Sequence, residues 1–184
     1  MDLYEAFEKR RSVRKFLNPA SEEQLNRILN AGTKAPSVMN TQRWEFVVVD
    51  DPELIEKISE IKYLVNRDMK PRGEDVPPEK EKIAQLQKDS FPNATLVVVF
   101  HRAKPFHKEA AWTCIQNMLL AAAAEGLGSR IATFWGGGEK EVARLLKVPK
   151  DFELTAALSF GEPAYTPGPK PLRPEGSWLH RNVF

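Results

Sequence analysis

The sequence predicts a fold of mixed helix and strand, in one domain or two small ones that share a core, and three observations carry that expectation. Two short runs, WEFVVVD (44–50) and TLVVVF (95–100), are dense in β-branched and aromatic residues, as strands are. Apolar residues recur at helical spacing in the segments around them, several of which open on capping residues. A chain of 184 residues with 42% hydrophobic and 28% charged content can bury an ordinary core without a disulfide or metal staple.

Residues 2–10 read as a helix capped by Asp2, with Leu3, Ala6, Phe7 and Arg10 at helical spacing. A second helix opens at Ser21, where Ser21-Glu22-Glu23-Gln24 forms a capping box. The Ser hydroxyl and the Gln amide each satisfy a backbone N–H that a first turn leaves without a partner. This helix carries Leu25, Ile28 and Leu29 on one face and stops near Gly32. Asp51 and Pro52 open a third helix through Ile55, Ile58 and Ile61.

Residues 63–82 are broken by Pro71, Pro77 and Pro78 and hold more charge than apolar surface. They read as a surface loop or lid leading into a short helix around Ile83 and Leu86, the whole excursion spanning 63–92. TLVVVF is apolar on both faces and therefore a buried strand. Residues 107–125 predict a long helix in which Ala110, Ala111, Cys114, Ile115, Met118, Leu119 and Ala122 wrap much of the circumference, so it belongs at the centre of a core. RIATF (130–134) reads as a strand or a turn, followed by a helix over 139–147 and the strand ELTAALSFG (153–161). Residues 162–184 hold Pro163, Pro167, Pro169, Pro171 and Pro174 without any period. They read as an extended arm whose Trp178 and Phe184 anchor it on another surface, or else as a frayed terminus.

Composition excludes several classes of function. Lys plus Arg number 27 against 25 Asp plus Glu, so the net charge of +2 lacks the basic excess expected of a nucleic-acid binder. One cysteine, Cys114, rules out an internal disulfide framework and a cysteine zinc site and fits a reducing compartment. MDLYEAFEKRRS places charges where a signal peptide needs an apolar run, and no window approaches the roughly 18 apolar residues of a membrane span. A cytoplasmic protein with no membrane partner is the expectation.

Three constellations can carry chemistry. Arg10-Arg11-Ser12-Val13-Arg14 puts three guanidiniums and a hydroxyl within five residues, which on spacing alone reads as a solvated basic helix end more readily than as a compact anion site. The loop from Ala35 to Trp44 is rich in amides and hydroxyls that can face a flat heterocycle or serve as ordinary turn residues. Gly126-Leu127-Gly128 and the later Thr133-Phe134-Trp135-Gly136-Gly137-Gly138 allow close backbone approach to a ligand. The glycine pair follows a helix and lacks a third glycine, so it is not a dinucleotide fingerprint. His101, His107 and His180 are scattered, Cys114 sits among Ala and Ile as a core thiol, and the carboxylates lack metal spacing.

In this order the pieces resemble the nitroreductase family of FMN-dependent flavoproteins: RRSVRKF, APSVMNTQRWEFVVV, AAWTCIQNMLLAAAAEGLGS, LKVPKDFELTAALSFGEP and a closing KPLRP with a late tryptophan. The resemblance covers nearly the whole chain, as a single FMN-binding domain over 1–184. It implies an α+β fold with a mainly antiparallel sheet flanked by helices, in an intertwined homodimer that holds FMN at the interface. It further implies that Arg10 and Ser12 hold the FMN phosphate with Arg11 beside them, and that Lys170 and Arg173 add to them. Arg14 matches the basic residue at the pyrimidine edge of the flavin. Ser37, Asn40 and Gln42 match a loop that reaches the flavin at least partly from the partner. Trp135 and Gly136 match the loop behind the ring. Arg43 stands where proline is usual after the glutamine, Trp135 where some members have Glu, and Leu172 where many have a basic residue. The implied activity is ping-pong hydride transfer from NADH or NADPH through flavin N5 to an electron-poor small molecule such as a nitroaromatic or quinone, with no side chain assigned as acid or base. The alternatives are a flavin-binding protein without physiological reductase activity and another flavin reaction on the same fold, such as reductive dehalogenation.

Overall fold

Two strands, β3 (Thr95–Arg102) and β5 (Phe152–Pro163), pair antiparallel at the middle of a five-stranded sheet in a computed structural model that describes residues 1–183. β2 (Trp44–Val49) adds antiparallel to β3, while β4 (Gly128–Ala132) and β1 (Phe16–Pro19) add antiparallel to β5. Alternation decides what each face covers. Val97, Val99, Ala156, Leu158 and Phe160 join one buried cluster, and Leu96, Val98, Phe100 and Ala157 join another. The expectation that TLVVVF is apolar on both faces and buried is met.

The helices follow their local signals. α1 (Leu3–Lys9) is capped by Asp2, whose carboxylate accepts from Glu5 N–H at 2.8 Å. In α2 (Glu22–Thr33) Ser21 Oγ accepts from Gln24 N–H at 3.2 Å while Gln24 Oε1 accepts from Ser21 N–H at 3.0 Å, closing the capping box. Asp51 caps α3 (Pro52–Asn66) by accepting from Glu53 N–H at 2.8 Å. α5 (His107–Ala124) packs with α2 over the first cluster, burying Ala111, Cys114, Ile115 and Met118. At roughly 1.5–3 kcal/mol for each fully buried large aliphatic side chain, this helix is a principal contributor to the core. α4 (Pro78–Lys88) and α6 (Gly138–Leu145) lie with α3 on the other side.

Some boundaries differ from expectation. β1 is a strand that the sequence did not announce: only Phe16 of its four residues is buried, and pairing with β5 makes it one. The excursion after residue 62 is more helical than expected, because Tyr63 and Val65 bury a further turn of α3 and α4 begins at Pro78. Non-helical chain there covers only 67–77. In α1, Leu3, Tyr4 and Phe7 are exposed and Ala6 alone is buried, so the apolar face of that helix lacks a cover within the chain. The arm beyond β5 leaves Leu172, Trp178 and Leu179 exposed, while Phe184 lies outside the described residues. Among the described residues no helix is long and apolar enough to cross a membrane.

Candidate functional site

The segment after α1 is laid against β4. Ser12 bridges Ser129 in parallel, and Val13 N–H donates to the Ser129 carbonyl at 2.9 Å. Gly128 makes the approach possible: a Cβ there would lie 2.7 Å from Val13 Cγ2 and 2.8 Å from Val13 Cβ. Arg11 Nη1 donates to the carbonyls of Glu8 and, at 2.9 Å, of Arg10, while its Nε is buried without a partner. Arg14 N–H donates to the Tyr165 hydroxyl at 3.3 Å, tying the segment to the start of the arm.

Arg10, Arg11 and Lys170 line one cavity of about 340 Å³ with Glu8, Gln116 of α5 and Leu172. The two ends of the chain therefore bring three cations to one concavity, although Lys170 itself is exposed. Arg173 faces an adjoining depression with Glu175 and Trp178, and Ser12 lines neither.

The 37–42 loop is held by its own side chains. Ser37 Oγ accepts from Gln42 N–H at 3.0 Å, and Gln42 Nε2 donates to Asn40 Oδ1 at 3.0 Å. Met39, Asn40 and Gln42 have φ of 48°, 54° and 49°. Asn40 and Gln42 are exposed, and the loop lines neither of the cavities described here.

The third stretch is fastened from behind. Lys62 of α3 is buried, donates from Nζ to the Thr133 carbonyl at 2.8 Å, and sits 4.3 Å from the Trp135 ring centre. Burial first, and then the charge of Arg130, push its ammonium down to about 8. Gly136 adopts φ 63°, and a Cβ there would meet only Met69 Cγ at 3.7 Å, so its backbone is open on that side. Trp135 and Gly136 line a second cavity of about 460 Å³ with Thr133, Trp112, Lys108 and Glu139. At its floor Thr155 Oγ1 is 2.8 Å from Nδ1 of buried His101, whose pKa burial lowers.

The pattern of the Nitroreductase family matches residues 7–162, most of the chain. The chain belongs to the nitroreductase family. A relative, the iodotyrosine deiodinase of Thermotoga neapolitana, is 30% identical over 99% of this chain and 98% of its own length. A crystal structure of oxidised iodotyrosine deiodinase bound to FMN and 3-iodo-L-tyrosine superposes with TM-score 0.72 at 28% identity, covering both chains fully. A nitroreductase with bound FMN from Desulfitobacterium hafniense shares the fold at TM-score 0.79 and 21% identity, over 98% of this chain and 100% of that one.

Within this nitroreductase-family chain, sequence reasoning missed Gln116, Lys62 and Arg130. Gln116 had a faint signal, a polar letter inside the otherwise apolar middle of α5, and Arg130 one inside a buried strand, whereas Lys62 had none among the charges of α3. The structure also resolves the cations of the excursion. Arg67 is buried, pairs with Glu81 and donates to the carbonyls of Lys70, Pro71 and Glu74 at 3.1, 3.0 and 2.7 Å. Arg72 pairs with Glu60 at 3.1 Å and lies 4.0 Å from the Tyr63 ring centre. Lys80 pairs with Asp68. These side chains hold the excursion together. Cys114 is buried, which pushes its thiol up to about 12 and leaves it protonated.

Proposed function

We propose that this chain works as a homodimeric, FMN-dependent oxidoreductase that draws on NADH or NADPH and reduces electron-poor acceptors such as nitroaromatics or quinones in ping-pong fashion. The observation that carries the reading is the cavity where Arg10, Arg11 and Lys170 meet in a chain of this family. A phosphate ester of charge near −2 matches forked guanidinium donors and an ammonium. The residues present fit FMN: a buried Arg11 Nε awaits an acceptor, and the Gly136 backbone is open.

In this reading Arg10, Arg11 and Lys170 bind the phosphate, Arg173 joins them from the adjoining depression, Ser12 approaches from the segment beside the cavity, and Arg14 serves the pyrimidine edge. Ser37, Asn40 and Gln42 reach a ring held mainly by the partner, which agrees with their lying away from both cavities of their own chain. Trp135 and Gly136 back the ring, and Lys62 braces their loop. When bound, FMN supplies a two-electron carrier that takes a hydride from the nicotinamide and passes the electron pair on. The protein binds, orients and sets charge around that carrier. The uncovered Leu3, Tyr4 and Phe7 of α1 and Leu172, Trp178 and Leu179 of the arm support a second copy as the missing cover.

A second reading, reductive removal of halide from an aromatic substrate, is favoured by the full-length relative named above. An amino-acid substrate needs a cation and an anion for its zwitterion, whereas Arg67, Arg72 and Lys80 are committed to Glu81, Glu60 and Asp68. Anaerobic turnover of FMN-loaded protein with NADH or NADPH and, in parallel, a nitroaromatic, a quinone and 3-iodo-L-tyrosine decides between them. Nicotinamide oxidation coupled to the nitroaromatic or quinone supports the reductase. Halide release from the iodotyrosine, with the other two left untouched, establishes the dehalogenase.

A further inference from the structure

β5 bulges at Thr155. Val99 of β3 stands opposite Ala156 and Phe100 opposite Leu154, so Thr155 is the extra residue between two paired positions. A bulge re-aims a side chain, and Thr155 Oγ1 comes to 2.8 Å from Nδ1 of His101 on β3. The other ring nitrogen, Nε2, lies 3.6 Å from Glu153 Oε2, because Glu153 is the register partner of His101. Thr155 and His101 are buried, whereas Glu153 reaches solvent.

β4 stops at Ala132, opposite Ala157, and so leaves Thr155 and Glu153 uncovered along that edge of β5. The cavity of about 460 Å³ opens there, and Thr155 lines it together with Trp135 and Gly136. A hydroxyl, an imidazole and a carboxylate thus stand in line, with the hydroxyl-bearing residue in the wall of the cavity assigned to the ring.

We propose that Thr155 is a catalytic residue that hands a proton to the acceptor as it is reduced, and that His101, faced by Glu153, is the positioning residue that stores this proton. The proposal rests on the FMN reading above. An acceptor that takes a hydride gains one negative charge and needs one proton. A quinone then becomes a hydroquinone, and a nitro group becomes a nitroso group and water. The Thr155 O–H bond breaks as the acceptor oxygen takes its proton, and the Nδ1–H bond of the His101 imidazolium breaks to restore it. The neutral imidazole left behind keeps its proton on Nε2, facing Glu153. Nδ1 regains a proton from water through the same hydroxyl once the product has left and the cavity is open. Burial is the largest influence against the imidazolium; Glu153 on β5 and Glu109 on α5 favour it, and Lys108 and His107 on α5 oppose it. Hydride uptake from the nicotinamide requires no such proton.

The test follows both half-reactions of FMN-loaded protein by stopped flow from about pH 5 to 8, with NADH or NADPH as reductant and benzoquinone as oxidant. Proton NMR titrates the His101 ring in the same samples. The proteins are wild type, Thr155→Val, Thr155→Ser, His101→Gln and Glu153→Gln. In the wild type, reoxidation is expected to slow as pH rises through a value below 6.5, in step with the ring titration, while reduction by the nicotinamide stays flat. Thr155→Val and His101→Gln slow reoxidation roughly 100-fold at acid pH and remove its pH dependence, and Thr155→Ser keeps both. A pair that only holds the bulge would leave the profile as it is. Thr155→Val with FMN bound and the wild-type rate and profile overturns the proposal. Where Thr155→Val does not fold or hold FMN, Glu153→Gln decides: a reoxidation profile that follows the ring titration to lower pH supports the proposal, and one that does not follow it overturns it. Wild-type protein that takes up no FMN brings down the underlying reading as well, and is told apart by the absence of flavin absorption in every sample.

Discussion

The ammonium of Lys62 lies 4.3 Å from the ring centre of Trp135 and donates at 2.8 Å to the carbonyl two residues before it. A side chain from α3 therefore holds the glycine-rich loop from behind by a hydrogen bond and a cation–π contact. A buried cation in this position costs stability in the apoprotein, and the cost depends on pH.

Folding lowers the Lys62 pKa from 10.5 to about 8, through burial and then the Arg130 charge. Between those values the unfolded chain binds more protons than the folded one, so this group makes stability rise with pH from about 8 to 10.5. Lys62→Met is expected to flatten that rise. Thermal midpoints of apoprotein at pH 7.5 and 9.5, wild type against variant, check it.

Gly128 lets Val13 approach β4. Gly128→Ala places a methyl within 2.8 Å of Val13 Cβ, which no rotamer change relieves. Overpacking of this kind costs roughly 1–3 kcal/mol. The expected outcome is that loss in urea unfolding together with weaker FMN binding, because Ser12 and Arg14 move with Val13.

Arg67 ties the excursion to α4. Arg67→Met removes the pairing with the half-exposed Glu81, which keeps the Tyr63 hydroxyl, and takes the donor from three carbonyls, a loss of roughly 1–3 kcal/mol. Faster proteolysis within 67–77 and a lower unfolding midpoint are expected, with FMN phosphate binding retained.

Arg14→Ala is expected to weaken FMN binding or slow reduction by NAD(P)H. Cys114→Ala is expected to cost about 1–2 kcal/mol of stability and leave turnover nearly intact, since the buried thiol stays protonated. Loss of all activity in Cys114→Ala with flavin retained would contradict the mechanism.

What was legible in the sequence was local. Ser21 with Gln24, Asp51 before Pro52, and the doubly apolar TLVVVF each state their structure within a few residues. β1 was silent because only Phe16 packs inward and its partner is β5, far along the chain. The end of α3 was misjudged because Lys62 and Arg67 look solvent-bound as letters, yet a carbonyl and a carboxylate draw both inside. Arg130 is the extreme case: the letter R within GSRIA hints at something unusual, but its burial depends on Gln87, 43 residues away. The resemblance named Arg10, Lys170 and Arg173 together; Arg10 and Lys170 line one cavity, whereas Arg173 lines the adjoining depression.

The central claim is tested most directly by the visible absorption spectrum of purified protein given FMN, desalted, and then titrated anaerobically with NADH or NADPH. One flavin retained per chain, with bands near roughly 370 and 450 nm that bleach with one nucleotide, is the result expected of a nicotinamide-reduced FMN site. Protein that emerges colourless after loading contradicts it.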